Sequence, residues 1–364
     1  MGSGGGGSYT DAVQLLDQLG TLSISVPVQV YKGGVDACVL AMMGSPDVGE
    51  KLALTDLQAA ISNTLKAYTQ ATGQGVTCAV PVEIGALNSL VPLIAAIGNP
   101  GMWVADGDGA GRAVPQLIET TYSGGAAGLA VSPVVIGNQA SAAAEIQSTV
   151  LNVATTAQAE ALARGIITSS FGSIAGFAGW PSTAANNYAL TASIIQGTLS
   201  QAWTLGNYML NSGPLTSQDI ANCIQGVTGR TATVVLDNFY ITDAVQNTAG
   251  GFDVGVVRLD STATPGAGTV SHHLYNMNES LIMYSSTSTV PDVVAPDSIC
   301  YYSTATGRGF SNSADDLAQY LNKGVPVSVI QVGAAPTLVA APGVMAAFAA
   351  ALLAIGYAGA LPGN

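Results

Sequence analysis

Charge is what this sequence most conspicuously lacks. Asp, Glu, Lys and Arg make up 9% of its 364 residues, against about 25% in an ordinary globular chain. What charge there is leans one way: nine bases face 22 acids, for a net charge of −13. With no basic patch, nothing in the chain neutralises phosphates or holds an anionic bilayer, which argues against nucleic-acid and membrane partners. Histidine is scarcer still. His272 and His273 are the only two, too few for a His-rich metal site, and on a strand they point to opposite faces. The four cysteines, Cys38, Cys78, Cys223 and Cys300, form no CxxC pair, which excludes a zinc knuckle or thioredoxin motif. Whether Cys38 and Cys78 meet depends on whether their strands are neighbours. No GxSxG elbow and no Walker A loop occurs, so serine-hydrolase and P-loop chemistry have no support. The chain does not open with the basic and then apolar segments of a signal peptide.

What remains is apolar and small. Hydrophobic residues make up 48% of the chain and glycine contributes 44 residues, ample for a real core and inconsistent with disorder. From Gly324 to Asn364 there is no charged side chain. Within that stretch, Gly343 to Leu361 has about the length of a bilayer span. It is mostly Ala and Gly and has no flanking Lys or Arg anchors, so a buried or interfacial helix is expected rather than a membrane span.

The order of elements points to an α/β protein in two parts. Helical spacing covers Tyr9 to Leu19, with Thr10 as the expected N-cap, and again Thr55 to Thr69 and Ser89 to Ile97. Ile24 to Tyr31, Ala37 to Met42, Val76 to Val82 and Trp103 to Ala105 read as strands. Ala140 to Gly165 reads as a long Ala/Gln/Glu helix and Ala184 to Leu210 as a second helical region. From Thr231 onward strand-like runs dominate: Thr231 to Leu236, Phe252 to Leu259, Thr269 to Tyr275, Ser280 to Tyr284 and Val325 to Val332. These features give an N-terminal α/β domain over residues 1–170 and a β-rich C-terminal domain over residues 171–364.

The densest charge cluster is Asp106, Asp108 and Arg112, set among Gly107, Gly109 and Gly111 just after a predicted strand. Ligands of α/β proteins sit at such strand ends. Two neighbouring carboxylates drive their pKa values apart and suit acid–base work, and an arginine beside them can clamp a carbonyl. The DxD spacing also suits a divalent cation; the alternative is a tight turn with Asp caps. The opening glycines satisfy GxGxxG, but no strand precedes them, so a nucleotide cofactor is not expected. Their N–H groups, at a helix N-terminus, are suited to cradle a carboxylate or a ring carbonyl.

Several segments, in one order, resemble the S-methyl-thiohydantoin desulfurase-like family, found beside hydantoinases. They are the glycine run Gly2 to Gly7, MGSPDVGEK at Met43 to Lys51, VEIGALNSLVPLIAA at Val82 to Ala96 and DGDGAGRAVPQL at Asp106 to Leu117. NES at Asn278 to Ser280, PDSI at Pro296 to Ile299 and YLNKGVPVSVI at Tyr320 to Ile330 follow. The resemblance implies enzyme chemistry on a small five-membered cyclic amide. On that basis the expected catalytic groups are Asp106, Asp108, Arg112 and Glu83. The expected substrate contacts are Gly4, Gly5, Gly6, Asn88, Gly109 and Gly111, with a buried Glu83–Arg112 pair holding two loops as the competing reading. Charged positions are thinned through the second half, so a different class of function stays open: a self-assembling, filament-forming protein on this fold, its partner being itself. The enzyme reading goes with a cytoplasmic protein and the assembly reading with an extracellular one.

Overall fold

Along Ala37–Gly44 every residue but the last is buried, the mark of a strand covered on both faces. That strand is the centre of the first of two seven-stranded sheets. The structure is a computed structural model that describes residues 2–20, 25–45, 53–124, 129–184 and 188–361. Ile24 and most of the Met43 to Lys51 segment, with Glu50 and Lys51, lie outside them.

In chain order the strands are β1 (Val28–Gln29), β2 (Ala37–Gly44), β3 (Cys78–Pro81), β4 (Trp103–Ala105), β5 (Gly107–Asp108), β6 (Val134–Gly137), β7 (Ser148–Leu151), β8 (Ile174–Ser182), β9 (Ile195–Gln196), β10 (Ala232–Ala249), β11 (Phe252–Asp260), β12 (Ser271–Met277), β13 (Glu279–Ser285), β14 (Val293–Val294), β15 (Ser298–Tyr302) and β16 (Pro326–Val332). The helices are α1 (Tyr9–Leu19), α2 (Leu54–Thr72), α3 (Val91–Gly98), α4 (Thr156–Ser170), α5 (Tyr188–Ser193), α6 (Thr198–Asn211), α7 (Ser217–Thr228), α8 (Ala314–Ala318), α9 (Pro336–Ala340) and α10 (Val344–Ala354). The expected class, an α/β N-terminal part followed by a β-rich part, is what the molecule has.

The first sheet runs β1-β4-β3-β2-β8-β6-β7. β1 to β4 are mutually parallel, and β8, β6 and β7 add antiparallel strands beside β2. Alternate side chains of β2 serve two cores. Ala37, Val39, Ala41 and Met43 pack with Phe177, Trp180 and the α4 residues Ala159, Ala163 and Ile167. Cys38, Leu40 and Met42 pack under α1, α2 and α3 through Leu15, Leu57, Ile61 and Ile94. Each such aliphatic side chain, fully buried, contributes about 1.5–3 kcal/mol. The pairing Ala37↔Cys78 and Cys38↔Ala79 places the two cysteines on opposite faces of adjacent strands, which explains why both are free thiols.

Two local expectations are corrected. Ser8, not Thr10, caps α1, its side chain accepting from the Asp11 N–H. The stretch Ala140 to Gly165 is not one helix: β7 pairs with β6 before α4 begins behind the Thr155 capping box. The first sheet also draws on both sides of residue 170, since β8 lies between β2 and β6.

The second sheet is antiparallel in the order β14-β13-β12-β11-β10-β16-β15. It curls until its two ends face each other, and segments from the N-terminal half fill the seam. The Ser280 N–H donates to the Ser3 carbonyl, and the Ile299 N–H to Ser3 Oγ, so one residue of the glycine run bridges β13 and β15. The apolar C-terminal stretch packs here too. Val344, Phe348, Ala351 and Leu352 of α10 pack in one core with Leu281, Ile282 and Leu338. Among the described residues no helix is long and apolar enough to cross a membrane.

Candidate functional site

A cavity of about 80 Å³ opens where the two halves meet. Its first wall is the C-terminal ends of the parallel strands β2 and β3, the place where α/β sheets put ligands. β3 stops at Pro81, and Val82 and Glu83 carry the chain into the cavity wall. The second wall is the glycine run, and the third is Asn278 and Glu279 at the start of β13.

Glu83 is held from two sides. Asn88 Nδ2 donates to its Oε1 at 2.7 Å and the Val114 N–H to its Oε2 at 2.7 Å. Asn88 is itself fixed, its Oδ1 accepting from the Met42 N–H at 2.9 Å. The Gly6 carbonyl accepts from the N–H groups of Leu87 and Asn88, so the glycine run is clamped to the turn that carries Asn88. The clamp needs two glycines: Gly6 and Gly85 meet backbone to backbone, and a Cβ on either would collide with the other's Cα. On its other side the Gly6 N–H donates to Glu279 Oε1 at 3.0 Å. The Gly6 N–H, expected to face a ligand, is thus occupied by the protein's own Glu279 carboxyl.

Burial drives both carboxyls toward the neutral acid. Glu83 is pushed up to about 7, its bonds from Asn88 and Val114 opposing the shift. Glu279 is pushed well above the usual carboxylate range, by burial first and by Glu83 second. A third buried acid behind them, Glu119, rises to about 8 for the same first reason. The cavity's cation, Arg164, is fully engaged. It bonds Glu160 Oε1 at 2.7 Å and the Gly251 carbonyl at 2.6 Å, and lies 3.8 Å from the Phe252 ring centroid.

The Asp106–Arg112 loop is brought close in sequence but not to the cavity wall. Asp106 accepts from the Ser200 N–H and Ser200 Oγ in the first turn of α6. Asp108 accepts from the N–H groups of Ala110 and Gly111 in its own turn, and burial lifts it to about 6. Arg112 gives Nε to the Ala113 carbonyl, Nη1 to the carbonyls of Pro296 and Asp297, and Nη2 to that of Ser280. It stitches the seam of the second sheet and makes no hydrogen bond to Glu83. Gly109 packs against Tyr122, and the Gly111 carbonyl accepts from Arg230; neither lines the cavity. Gly4 and Gly5 line a smaller polar recess beside it, with Gly7 and Asn278 common to both. Among the described residues no three His, Cys, Asp or Glu side chains are grouped to hold a metal ion, and the DxD oxygens are taken by backbone amides and Ser200. His272 bonds Asp292 within the second sheet. Glu279 and Arg164 were missed in the sequence. For Glu279 there was a signal, the NES motif at Asn278 to Ser280, which opens the strand ESLIMYS.

The S-Me-THD-like N-terminal domain matches residues 1–148, and the S-Me-THD-like C-terminal domain matches residues 154–348. The chain belongs to the S-Me-THD-like family. The crystal structure of a protein from Chromobacterium violaceum is similar over 98% of this chain and 93% of that one, with 26% identity and a TM-score of 0.77. No curated protein matches. Gly6, Glu83 and Asn88 lie in the first matched domain and Glu279 in the second, so the two matched domains meet at this cavity.

Proposed function

We propose that this S-Me-THD-like protein is an enzyme that hydrolyses a small cyclic amide of the hydantoin type in the cavity between its halves. The observation that carries the reading is Glu83: a buried carboxyl in the cavity wall, pushed up to about 7, where a general base works best at neutral pH. In the proposed step Glu83 takes a proton from water as the water oxygen bonds to the ring carbonyl carbon. The ring C–N bond then breaks, and the proton passes to the departing nitrogen to give a ring-opened ureido acid. A cavity of about 80 Å³ suits a single small ring rather than a polymer. On an S-methylated thiohydantoin the same activated water would displace methanethiol.

The test is turnover of a panel of hydantoins and thiohydantoins, with and without added divalent metal. The expected result is hydrolysis that rises with pH through about 7 and falls by roughly 10²–10⁴-fold in Glu83→Gln. Full activity in that variant, or no turnover of any member of the panel, removes the reading.

A further inference from the structure

Among the described residues, Glu279 is a buried acid with no ion-pair partner. It lines the cavity, and its Oε1 accepts one bond, from the Gly6 N–H. Its Oε2 is also buried and has no hydrogen-bond partner among the described residues. The cation that acts on it electrostatically, Arg112, has its guanidinium on four carbonyl oxygens instead. The other charged groups felt at Glu279 are acids, Glu83 and Glu119. An isolated carboxylate in such a place is expensive, while the neutral acid costs far less and gains an O–H donor. Glu83 differs: both its oxygens already accept hydrogen bonds, so its wall presents acceptor character. The two are joined through one residue, since Gly6 holds Glu279 by its N–H and the Asn88 turn by its carbonyl, and Asn88 holds Glu83.

We propose that Glu279 is an uncharged carboxylic acid whose O–H is offered to the ligand, so that Glu279 and Glu83 together read the adjacent C=O and N–H of a neutral cyclic amide and reject a ring bearing an anionic arm. The second half follows from the rest of the wall. Asp11, Glu160 and Arg164 also line the cavity, and Arg164 is already held by Glu160, Gly251 and Phe252, so among the described residues of the wall no free cation awaits a carboxylate. The inference rests on the proposed cyclic-amide reading for its ligand, and not for the state of Glu279.

Two measurements on the full chain separate these. Infrared difference spectra of wild type and Glu279→Gln at neutral pH read the protonation state directly. The carbonyl band of a protonated carboxyl is expected to disappear in the variant; its persistence, with loss of a carboxylate band instead, overturns the proposal. Gln keeps an acceptor for the Gly6 N–H, so the variant is expected to fold, and its thermal transition confirms that. Calorimetric titration then compares hydantoin with hydantoin-5-acetic acid, whose arm is ionised. The neutral ring is expected to bind at least about tenfold tighter, and Glu279→Gln, which retains a donor, to bind it within a few-fold, whereas Glu279→Leu loses about tenfold. Equal binding of the two rings overturns the specificity claim. If neither ring binds while the infrared band is lost as expected, the cyclic-amide reading fails and the neutral Glu279 stands.

Discussion

The cavity wall and the Asp106–Arg112 loop hold ionisable groups that are equally hidden: Glu83 and Glu279 are 4% and 2% exposed, Asp108 and Arg112 both 0%. They differ in what those groups have for company. In the loop every charged group is answered by the protein: Asp108 by amides of its own turn, Asp106 by α6, Arg112 by four carbonyls. At the cavity, Glu279 keeps an oxygen with no partner among the described residues, and burial pushes Glu83 up to about 7. Density of charge along a sequence therefore marks where a fold needs polar staples as readily as where it does chemistry. A buried group left unanswered is the better sign of a ligand.

Breaking the staple is expected to have the largest effect on stability. Arg112→Met removes the donors that join Ala113, Ser280, Pro296 and Asp297 and leaves those carbonyls in the seam unanswered. A loss of about 3–5 kcal/mol in denaturant unfolding is expected. Lys at this position offers three donors from one point and restores little of it. A loss under about 1 kcal/mol would mean the seam is not held here, and would return Arg112 to the list of groups free for catalysis.

A smaller effect separates the two regions by pH. Glu83, Glu119 and Asp108 all have pKa values raised by burial, to about 7, 8 and 6. The folded chain therefore keeps protons that the unfolded chain has released, and stability falls as pH rises. The contribution is complete below about pH 4 and gone above about pH 8, with a slope of ~1.4 kcal/mol per pH unit for each retained proton. The loop acid Asp108 acts only up to about pH 6; the acids at and behind the cavity carry the slope beyond it. The thermal midpoint is expected to decline from pH 5 to pH 8, and Glu119→Gln to flatten the upper part of that decline. A midpoint that rises over this range would place the carboxyls in their ionised form throughout.

Much of the fold was legible. β2 declared itself by an unbroken apolar run and α1 by its spacing, and the antiparallel strands after Ala232 by alternation between turns. The misreading of Ala140 to Gly165 has a physical reason. Its Ala-rich composition favours helix, but Ser148–Leu151 pairs with β6 and forms the edge of the sheet, a tertiary choice that composition over the whole stretch does not record. The site was half legible. Glu83 and Asn88 lie five residues apart and at the end of a strand, where sequence order and topology agree. Glu279 stands 273 residues from the Gly6 N–H that holds it, and no local pattern reports a contact of that span. The DGDGAGR loop was rightly placed after a parallel strand, β4, but the cavity lies after β2 and β3 instead.

The smallest expected effect is the sharpest test of the comparison. α6 begins at Thr198 behind Gly197, which has no side chain to cap it. Asp106 reaches across from the β4 end and does that work, Oδ1 accepting from the Ser200 N–H at 3.0 Å and Oδ2 from Ser200 Oγ at 2.6 Å. A carboxylate at a helix start also opposes the helix dipole favourably. Asp106→Ala is therefore expected to cost about 1 kcal/mol, the usual worth of a lost N-cap, and Asp106→Asn, which keeps an acceptor, a few tenths. Neither change touches the cavity wall, so ring binding and turnover are expected to stay within about twofold of wild type once the samples are matched for folded fraction. If Asp106→Asn instead abolished turnover while leaving the thermal midpoint in place, the carboxylate would have a part in the chemistry that its hydrogen bonds do not require. The line drawn between an answered loop and an unanswered cavity would then have to be moved to include β4.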